Sequence, residues 1–386
     1  MVESRWLRWF GPGLVALGAV GLVASTTIGA GTRAWAPPPC SGTPADRSAA
    51  ARDTSPVVPA DLAPVPWFRL DPVAGDDGSL RGQRLVLGRV ADPIARSLEL
   101  TAESFAAGPF GRIVLVGSDD GSTSRLTAID VAQGCSWVLD SERDIVRRAT
   151  IDPSGTLVYE MRVDRATRAD LGIWRRHVDA GEPAVRVLGP IGSDARFGRT
   201  FSTEFIWDMA GRRLAVQSCG EVACRTRVIA PDSASTELLD APDLGLLVGL
   251  DGDRVVTYAS CRGLPCPIVS TDIRTGQRRL LAGSAGFATL VRTPGGTRLV
   301  HETRSTPASP LRSVDLDGRT SVDLAPIPTD DRLATNPFTG GSAIRLPAGW
   351  VVLAPEGRLP IDLTDHRSQL RHIPDGATVP LDEAIR

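Results

Sequence analysis

From about residue 67 onward, short apolar runs rich in Val, Leu and Ile alternate with turns of Gly, Asp, Pro and Ser. This region contains no apolar pattern with the period of an amphipathic helix. Apolar runs of this length between turn residues are typical of β-strands, and many of them in succession indicate an all-β fold. The 386 residues and the 42% hydrophobic content are sufficient to fill a sizeable core.

The strands belong to a recurrent unit, in which a Gly-containing turn is followed by a strand, a hairpin and a further strand. The strands after these turns are GQRLVLG, GRIVLVG, GTLVYEM, GRRLAVQ, GDRVVTY, GTRLVHE and GWVVLAP. Their first glycines are 29, 44, 56, 41, 44 and 53 residues apart, and most of these intervals are close to the length of a propeller blade, about 40 to 50 residues.

Sheets stacked around an axis bury both of their apolar faces and leave only short edges exposed. We therefore predict an all-β protein with a β-propeller of seven blades, the first of them incomplete and closed by carboxy-terminal strands. A ring of six blades is the alternative count, and a β-sandwich core is the alternative architecture.

One turn carries a family resemblance. The segment ATIDPSGTLVYE, from Ala149 to Glu160, resembles the Ser-Pro-Asp-Gly turn of the TolB-type, WD-repeat-like propellers, and FIWDMAGRRLAVQ and LVRTPGGTRLVHE are weaker copies. The resemblance extends over about residues 67–374. It implies a propeller fold with protein or cell-envelope partners, but it does not identify them.

The amino terminus contains Arg5 and Arg8 and then an uncharged run from Trp9 to Thr32. As a helix, such a run is about 36 Å long, enough to span a bilayer. The positive flank predicts a cytoplasmic start and a body outside the cytoplasm. Ala34-Trp35-Ala36 offers a signal-peptidase site, but Pro37 follows it, so we favour an uncleaved single-pass anchor in the cell membrane over a cleaved signal and secretion.

Three segments follow from these patterns. Residues 1–36 are the membrane anchor or signal segment, and residues 67–386 form the propeller domain. Residues 37–66 are rich in Pro and Ala and contain few large apolar residues, which favours an extended linker. We expect this linker to act as a stalk that holds the domain away from the membrane.

Charge excludes one class of partner. The net charge is -2 and the pI is about 6.1, whereas phosphate binding requires a concentrated positive surface. No nucleic-acid partner is therefore expected.

Two cysteine pairs occupy the same place in consecutive units, at the end of the second strand and the start of the third. The pairs are Cys219 with Cys224 and Cys261 with Cys266. Residues facing each other across such a hairpin are close to disulfide geometry, and an oxidising compartment favours the bond. A four-thiolate zinc site and a redox site are the alternatives.

The remaining cysteines, Cys40 and Cys135, make the total even. An even number in a secreted chain suggests a pair that ties the linker to an outer strand. A buried free Cys135 and an intermolecular bridge through Cys40 are the competing interpretations.

No residue pattern indicates catalysis, cofactor binding or a metal site. The histidines His177, His301, His366 and His372 lack metal-ligand spacing and are expected on the surface or in loops. The acidic turns with Asp119, Asp120, Asp251, Asp253, Asp315 and Asp317 resemble fragments of calcium loops, but none supplies a complete ligand set, so hairpin turns are expected. LTAIDVAQGCSW resembles a repeat of quinone-dependent dehydrogenases, but Trp137, Trp174 and Trp207 are expected to pack blades together rather than contact a cofactor.

The sequence thus predicts a monomeric, membrane-tethered, extracytoplasmic propeller that serves as a protein- or ligand-binding scaffold. Its expected partners are the membrane, through the N-terminal helix, and an envelope protein or glycan. A propeller enzyme, either a glycan lyase or a hydrolase with its site in the central channel, is the alternative.

Overall fold

The computed structural model describes most of the predicted propeller region and a short N-terminal part. The described residues are 32–34, 36–41, 66–74, 80–89, 95–101, 105–107, 113–130, 133–142, 144–152, 156–179, 183–190, 202–208, 212–219, 224–230, 236–242, 244–259, 264–293, 295–304, 309–324, 331–333, 342–343, 350–355, 369–372 and 378–380. All regular elements in these ranges are β-strands, which confirms the all-β prediction.

The described strands form seven sheets, called sheets I to VII here. Sheet II contains β5 (Phe105–Ala107), β6 (Ile113–Asp119), β7 (Ser124–Asp130) and β8 (Cys135–Glu142). Sheet III contains β9 (Ile145–Ile151), β10 (Leu157–Val163), β11 (Asp170–His177) and β12 (Val185–Leu188). Sheet IV contains β13 (Ser202–Trp207), β14 (Leu214–Cys219), β15 (Cys224–Ala230) and β16 (Thr236–Pro242). In each sheet every strand is antiparallel to the next strand of the chain.

Sheets V, VI and VII have the same order. Sheet V contains β17 (Leu247–Asp251), β18 (Arg254–Tyr258), β19 (Cys266–Asp272) and β20 (Arg278–Ala285). Sheet VI contains β21 (Ala288–Thr293), β22 (Gly296–Glu302), β23 (Leu311–Asp315) and β24 (Ser321–Asp323). Sheet VII contains β25 (Asp331–Leu333), β27 (Trp350–Pro355), β28 (Gln369–His372) and β29 (Thr378–Pro380). Sheets II to VI are four-stranded meanders of consecutive strands, and sheet VII has the same order except that β26 leaves it between β25 and β27. Such a series of meanders fits a β-propeller.

Sheet I is assembled differently. It contains β2 (Pro66–Ala74), β3 (Leu80–Arg89) and β4 (Ala95–Thr101), with β1 (Thr32–Ala34) beside β4 and β26 (Ser342–Ala343) beside β2. In sheets II to VI the first strand lies on the inner side and the fourth, outer strand leads to the first strand of the next sheet. In sheet I it is β4 that leads to β5, so β4 occupies the fourth position and β2 and β3 occupy the second and third. The inner position is therefore filled by β26, which lies between β25 and β27 in the chain.

This arrangement explains the short first interval of the repeat. The strand GQRLVLG lies in β3, the third strand of its sheet, whereas GRIVLVG lies in β6, the second strand of sheet II. The expected incomplete first blade is thus completed on its inner side by a carboxy-terminal strand.

The apolar core lies between the sheets, because alternate residues of a strand point to opposite faces. Along β10, Val158 packs in a cluster with Leu115 and Leu126 of sheet II. Its neighbours Tyr159 and Met161 pack with residues of sheet IV. The first strands of sheets II to VI also contact one another in sequence, so they form the inner side of the stack.

The described N-terminal residues, 32–34 and 36–41, lie against the outer strands of the first two sheets. Strand β1 pairs in parallel with β4, and Pro39 forms a parallel bridge with Ser136 of β8. Residues 32–34 and 36–41 are called the strap from here on. The expected boundary between residues 36 and 37 therefore divides a segment that is bound to the sheets on both sides of that boundary.

Other predictions for the N-terminal region lie outside the described residues. Residues 9–31 of the expected anchor and residues 42–65 of the expected linker belong to this group. Among the described residues, no helix has the length and apolar character needed to cross a bilayer.

Candidate binding face

Each sheet has two distinct ends. Because consecutive strands are antiparallel, the hairpin between the second and third strands and the link to the next sheet lie at the same end. The other two hairpins lie at the opposite end. The end with the hairpin between the second and third strands is called the disulfide end, because Cys219 and Cys224 lie there. The end with the other two hairpins is called the turn end.

A covalent bond closes a hairpin at the disulfide end. Cys219 ends β14 and faces Cys224, the first residue of β15, with a Cα–Cα distance of 4.0 Å and a disulfide between them. In sheet V, Cys266 begins β19 and is also disulfide-bonded. Its predicted partner Cys261 lies outside the described residues. A cysteine in a disulfide has no thiolate to offer to a metal, so the zinc hypothesis finds no support in these bonds.

An ion pair links sheets II and III at the same end. Arg165 donates from Nη1 and Nη2 to the two carboxylate oxygens of Asp119, at 2.9 and 3.0 Å. Burial opposes ionisation of Asp119, but hydrogen bonds from Arg165 and Gly121 outweigh this effect and lower its pKa. The hairpins of neighbouring sheets are therefore fixed relative to each other by a bidentate contact.

The adjacent Asp120 organises its own turn. Its Oδ1 accepts hydrogen bonds from the backbone N–H groups of Ser122, at 2.8 Å, and Thr123, at 2.7 Å. These bonds lower the pKa of Asp120 to about 2. The segment that resembled a calcium loop thus uses its carboxylates for a turn and an ion pair.

A buried glutamine secures the link between sheets IV and V. Gln217 of β14 donates to the carbonyl of Gly245 at 2.9 Å and accepts from the N–H of Leu247 at 3.0 Å. Gly245 has a φ of +94°, and a Cβ there would lie 1.7 Å from the carbonyl oxygen of Tyr258. Only glycine fits this close approach.

The link between sheets V and VI is held by a tyrosine. The hydroxyl of Tyr258 donates to the carbonyl of Gly286 at 3.1 Å, and burial raises the pKa of the Tyr258 phenol. Backbone hydrogen bonds of 2.8 Å also join Gly286 and Phe287 to Glu302. Both of these links are therefore anchored by a side chain or backbone group from the neighbouring strands.

His301 corrects an expectation from the sequence. It is buried in β22, where its Nδ1 lies 2.9 Å from the carbonyl of Glu302, and its Nε2 has no hydrogen-bond partner among the described residues. Burial lowers the pKa of His301, and the charge of Arg312 adds to this effect. Its position two residues after Leu299 could have revealed the burial, since Leu299 packs against sheet V.

The other histidines fall into two groups. His177, at the end of β11, is exposed, as expected. His372 belongs to β28, but its side chain and the whole of His366 lie outside the described residues.

Exposed apolar side chains also occur at the disulfide end. Leu246 in the link between sheets IV and V is 47% exposed, and Leu264 in the hairpin before β19 is 36% exposed. Pro265 beside it is exposed as well. The backbone near Leu246 is fixed, because its carbonyl accepts from the N–H of Tyr258 at 2.8 Å. Leu246, Leu264 and Pro265, all exposed at the disulfide end of sheet V, are called the apolar patch from here on.

The turn end is joined by ion pairs between sheets. Arg213 of sheet IV forms a salt bridge with Asp253 of sheet V, and Arg254 of sheet V forms one with Asp317 of sheet VI. Asp315 accepts from the backbone N–H groups of its own turn. Asp253 and Asp317 therefore hold neighbouring sheets together, and Asp315 holds its own hairpin turn.

Two tryptophans join sheets in the way the sequence indicated. The Nε1 of Trp137 in sheet II donates to the carbonyl of Val178 in sheet III at 2.7 Å. Trp207 of sheet IV packs edge-on against Tyr159 of sheet III, with ring centroids 5.5 Å apart. The guanidinium of Arg162 instead lies over the ring of Trp174, with the Arg162 Cζ 4.6 Å from the ring centroid.

Sequence reasoning missed a buried charge cluster between sheets II and III. Glu160 is fully buried and accepts from Arg162 at 2.8 Å and from Arg176 at 3.3 Å. Arg176 also donates to the carbonyl of Leu139 in sheet II at 2.6 Å, and burial lowers its pKa to about 10. Alternation along β10 places Glu160 and Arg162 on one face, and this alternation was the available signal.

Among the residues that the structure describes, no group of three or more His, Cys, Asp and Glu side chains could hold a metal ion. The described chemistry is therefore that of cross-linked turns, ion pairs and a small apolar patch.

Similarity to known proteins is found among solved structures. No protein-family model and no curated protein matches the chain. Similar solved structures include TolB from Acinetobacter baumannii, with 14% identity, a TM-score of 0.39, and 69% of this chain and 64% of that chain covered. A TolB is thus among the solved structures to which this chain is similar. The match spans less than two thirds of that TolB.

Two further similar structures have different activities in their names. The β-propeller domain of the Trilobed protease from Pyrococcus furiosus has 12% identity and a TM-score of 0.48, with 82% of this chain and 95% of that chain covered. An oligogalacturonate lyase in complex with manganese has 12% identity and a TM-score of 0.49, with 83% and 86% covered. At these identities the similarity concerns the fold alone.

Proposed function

We propose that the chain is a seven-bladed, membrane-tethered propeller outside the cytoplasm, and that it binds a protein of the cell envelope at its disulfide end. The seven sheets of the described residues support the blade count. The disulfides support an oxidising compartment, because such bonds persist in secreted and surface proteins and are rare in the cytosol.

The observation that carries the proposal is the apolar patch on a cross-linked end of the ring. Leu246 and Leu264 are exposed, although the turns around them are fixed by a disulfide at Cys266 and by the bonds of Tyr258. A rigid surface loses little conformational entropy on binding, so each buried apolar side chain contributes more to affinity. Apolar side chains in a polar setting also suit a protein partner better than a polar glycan.

The tether is supported by the first strand. Cleavage after Ala36 would remove β1, which pairs with β4 in sheet I. An anchor that stays attached would keep this pairing. The uncharged run from Trp9 to Thr32 would then hold the ring at the membrane.

Site-specific photocrosslinking in whole cells tests the binding face. A photoreactive amino acid replaces Ser122, at the disulfide end, or Gln277, at the turn end; both positions are exposed. We expect an adduct of one defined mass from the Ser122 position and none from the Gln277 position. Adducts from both positions, or from Gln277 alone, would contradict the proposal.

A matched pair of variants tests the patch itself. Leu264→Asp should remove the adduct, whereas Leu280→Asp, which changes another exposed leucine of sheet V on the outer strand β20, should leave it intact. Equal adduct yields in both variants would show that the apolar patch is not the contact.

The enzyme alternative gives a different result in the same cells. A glycan lyase or hydrolase would shorten envelope polysaccharide when the purified full chain is added, without a stable protein adduct. Arg147 and Arg148 are charged residues exposed on the inner strand β9.

A further inference from the structure

The strap determines where the membrane segment reaches the ring. In the register of sheet I, Thr32 of β1 lies opposite Ala95 and Ala34 lies opposite Ser97 of β4. The strap then continues to sheet II, where the N–H of Cys40 donates to the carbonyl of Ser136 at 2.9 Å. The strap therefore pairs with the outer edge strands of two consecutive sheets.

The direction of the outer strands identifies the end at which the strap begins. The outer strand of each sheet runs from the turn end to the disulfide end, because the link to the next sheet follows it. Ala95 is the first residue of β4, and Cys135 is the first residue of β8. Thr32, opposite Ala95, thus lies at the turn end, as does the Cys40–Cys135 disulfide.

The chain leaves almost no spacer between the apolar run and the ring. The uncharged run ends at Thr32, which is also the first residue of β1. Even if β1 separated from β4, the Cys40–Cys135 bond would still hold the chain at residue 40. The eight residues after Thr32 reach about 28 Å at full extension. This length is the upper limit on the distance between the end of the apolar run and the disulfide at Cys135.

We propose that the turn-end rim of sheets I and II abuts the lipid bilayer surface and that the disulfide end faces away from it. This inference rests on the proposed membrane tether. A strand of seven residues, such as β6, is about 23 Å long. The disulfide end of sheet II therefore lies about 23 Å farther from the lipid than its turn end does.

The same geometry changes the role of the Pro-rich segment. Residues 42–65 connect the strap to β2, so both of their ends are fixed on the ring. Their length does not set the distance between the bilayer and the sheets. The expected stalk is thus replaced by direct contact at the rim, and the binding face points toward other envelope components.

Lipid-quenching fluorescence tests the orientation in the full chain. The protein, reconstituted in liposomes of phosphatidylethanolamine and phosphatidylglycerol that contain a headgroup nitroxide lipid, carries a fluorescent amino acid at Gln133 or at Ser122. Both positions are exposed in hairpins of sheet II, at the turn end and the disulfide end respectively. We expect quenching at Gln133 at least threefold stronger than at Ser122. Equal or reversed quenching would overturn the proposal.

Two controls separate this proposal from the tether itself. Failure of the chain to float with liposomes at alkaline pH would contradict the membrane tether, whereas flotation with equal quenching would contradict the orientation alone. A flexible insert of about twenty Gly and Ser residues before Thr32 adds about 25 Å of reach. With this insert, we expect flotation to persist and the difference between the two positions to vanish; a persistent difference would show that the short tether does not orient the ring.

Discussion

The indole Nε1 of Trp207 donates to the Oγ1 of Thr150 at 3.1 Å, across the boundary between sheets IV and III. Trp207 belongs to the inner strand β13, and Thr150 belongs to the inner strand β9. This single contact joins two repeat units at the inner side of the stack. Neighbouring units are therefore linked by specific polar bonds as well as by apolar packing.

Replacement of Trp207 by Phe should remove this bond while it keeps an aromatic ring against Tyr159. We expect the free energy of unfolding to fall by about 1 kcal/mol, since that is the typical net value of one hydrogen bond. Urea unfolding followed by circular dichroism would measure the change.

The control for this variant is Trp174→Phe. The Nε1 of Trp174 has no hydrogen-bond partner among the described residues, and its ring faces Arg162, a contact that Phe can retain. The free energy of unfolding should therefore fall clearly less in Trp174→Phe than in Trp207→Phe. Equal losses in the two variants would mean that the Trp207 hydrogen bond contributes nothing measurable.

The two described disulfides should differ in their contribution to stability. The Cys40–Cys135 bond closes 95 residues, and the Cys219–Cys224 bond closes only 5. By loop entropy the first is worth about 5 kcal/mol and the second about 2 kcal/mol. Denaturant unfolding of the double Ser variants C40S/C135S and C219S/C224S would compare them, and a larger loss from the short loop would refute the entropic account.

Replacement of Glu160 by Gln should be strongly destabilising. The change leaves the guanidinium groups of Arg162 and Arg176 buried without their shared carboxylate, and breaking such a buried pair costs about 3 to 5 kcal/mol. The control is Glu99→Gln, which breaks the exposed cross-strand pair of Glu99 with Arg84 and should cost less than about 1 kcal/mol. Similar losses measured by thermal unfolding would argue against the importance of burial.

Stability should depend on pH through His301. Burial lowers the pKa of His301 in the folded protein below its ordinary value of about 6.5. The unfolded chain therefore binds the proton first as the pH falls below about 6.5. The contribution of neutral His301 is complete above this pH and is lost progressively as the pH falls toward the lowered pKa.

The measurement for this prediction is the free energy of unfolding between pH 7.5 and 5. In His301→Gln the decline with falling pH should be shallower than in the parent protein. His177→Gln, which changes an exposed histidine, should leave the slope unchanged. The same slope in both variants and the parent would show that His301 does not titrate in this range.

Local patterns were sufficient for several features of this protein. The strands, the turns and the hairpin disulfide between Cys219 and Cys224 follow from residues that are close together in the sequence. Alternation and turn residues act over a few positions, so their signal survives without knowledge of the fold. The packing role of Trp137 and Trp207 was also predicted, because a tryptophan within an apolar strand is rarely left exposed.

The tertiary structure alone decided how distant segments meet. The choice of β26 as the strand that completes sheet I, the pairing of β1 with β4, and the burial of His301 and Glu160 depend on which sheets face each other. These contacts join residues that are tens to hundreds of positions apart, and nothing in the short segments specifies the partner. The sequence by itself determined the strands and their turns, and the closure of the stack determined their neighbours, because burial is a property of facing surfaces rather than of a single strand.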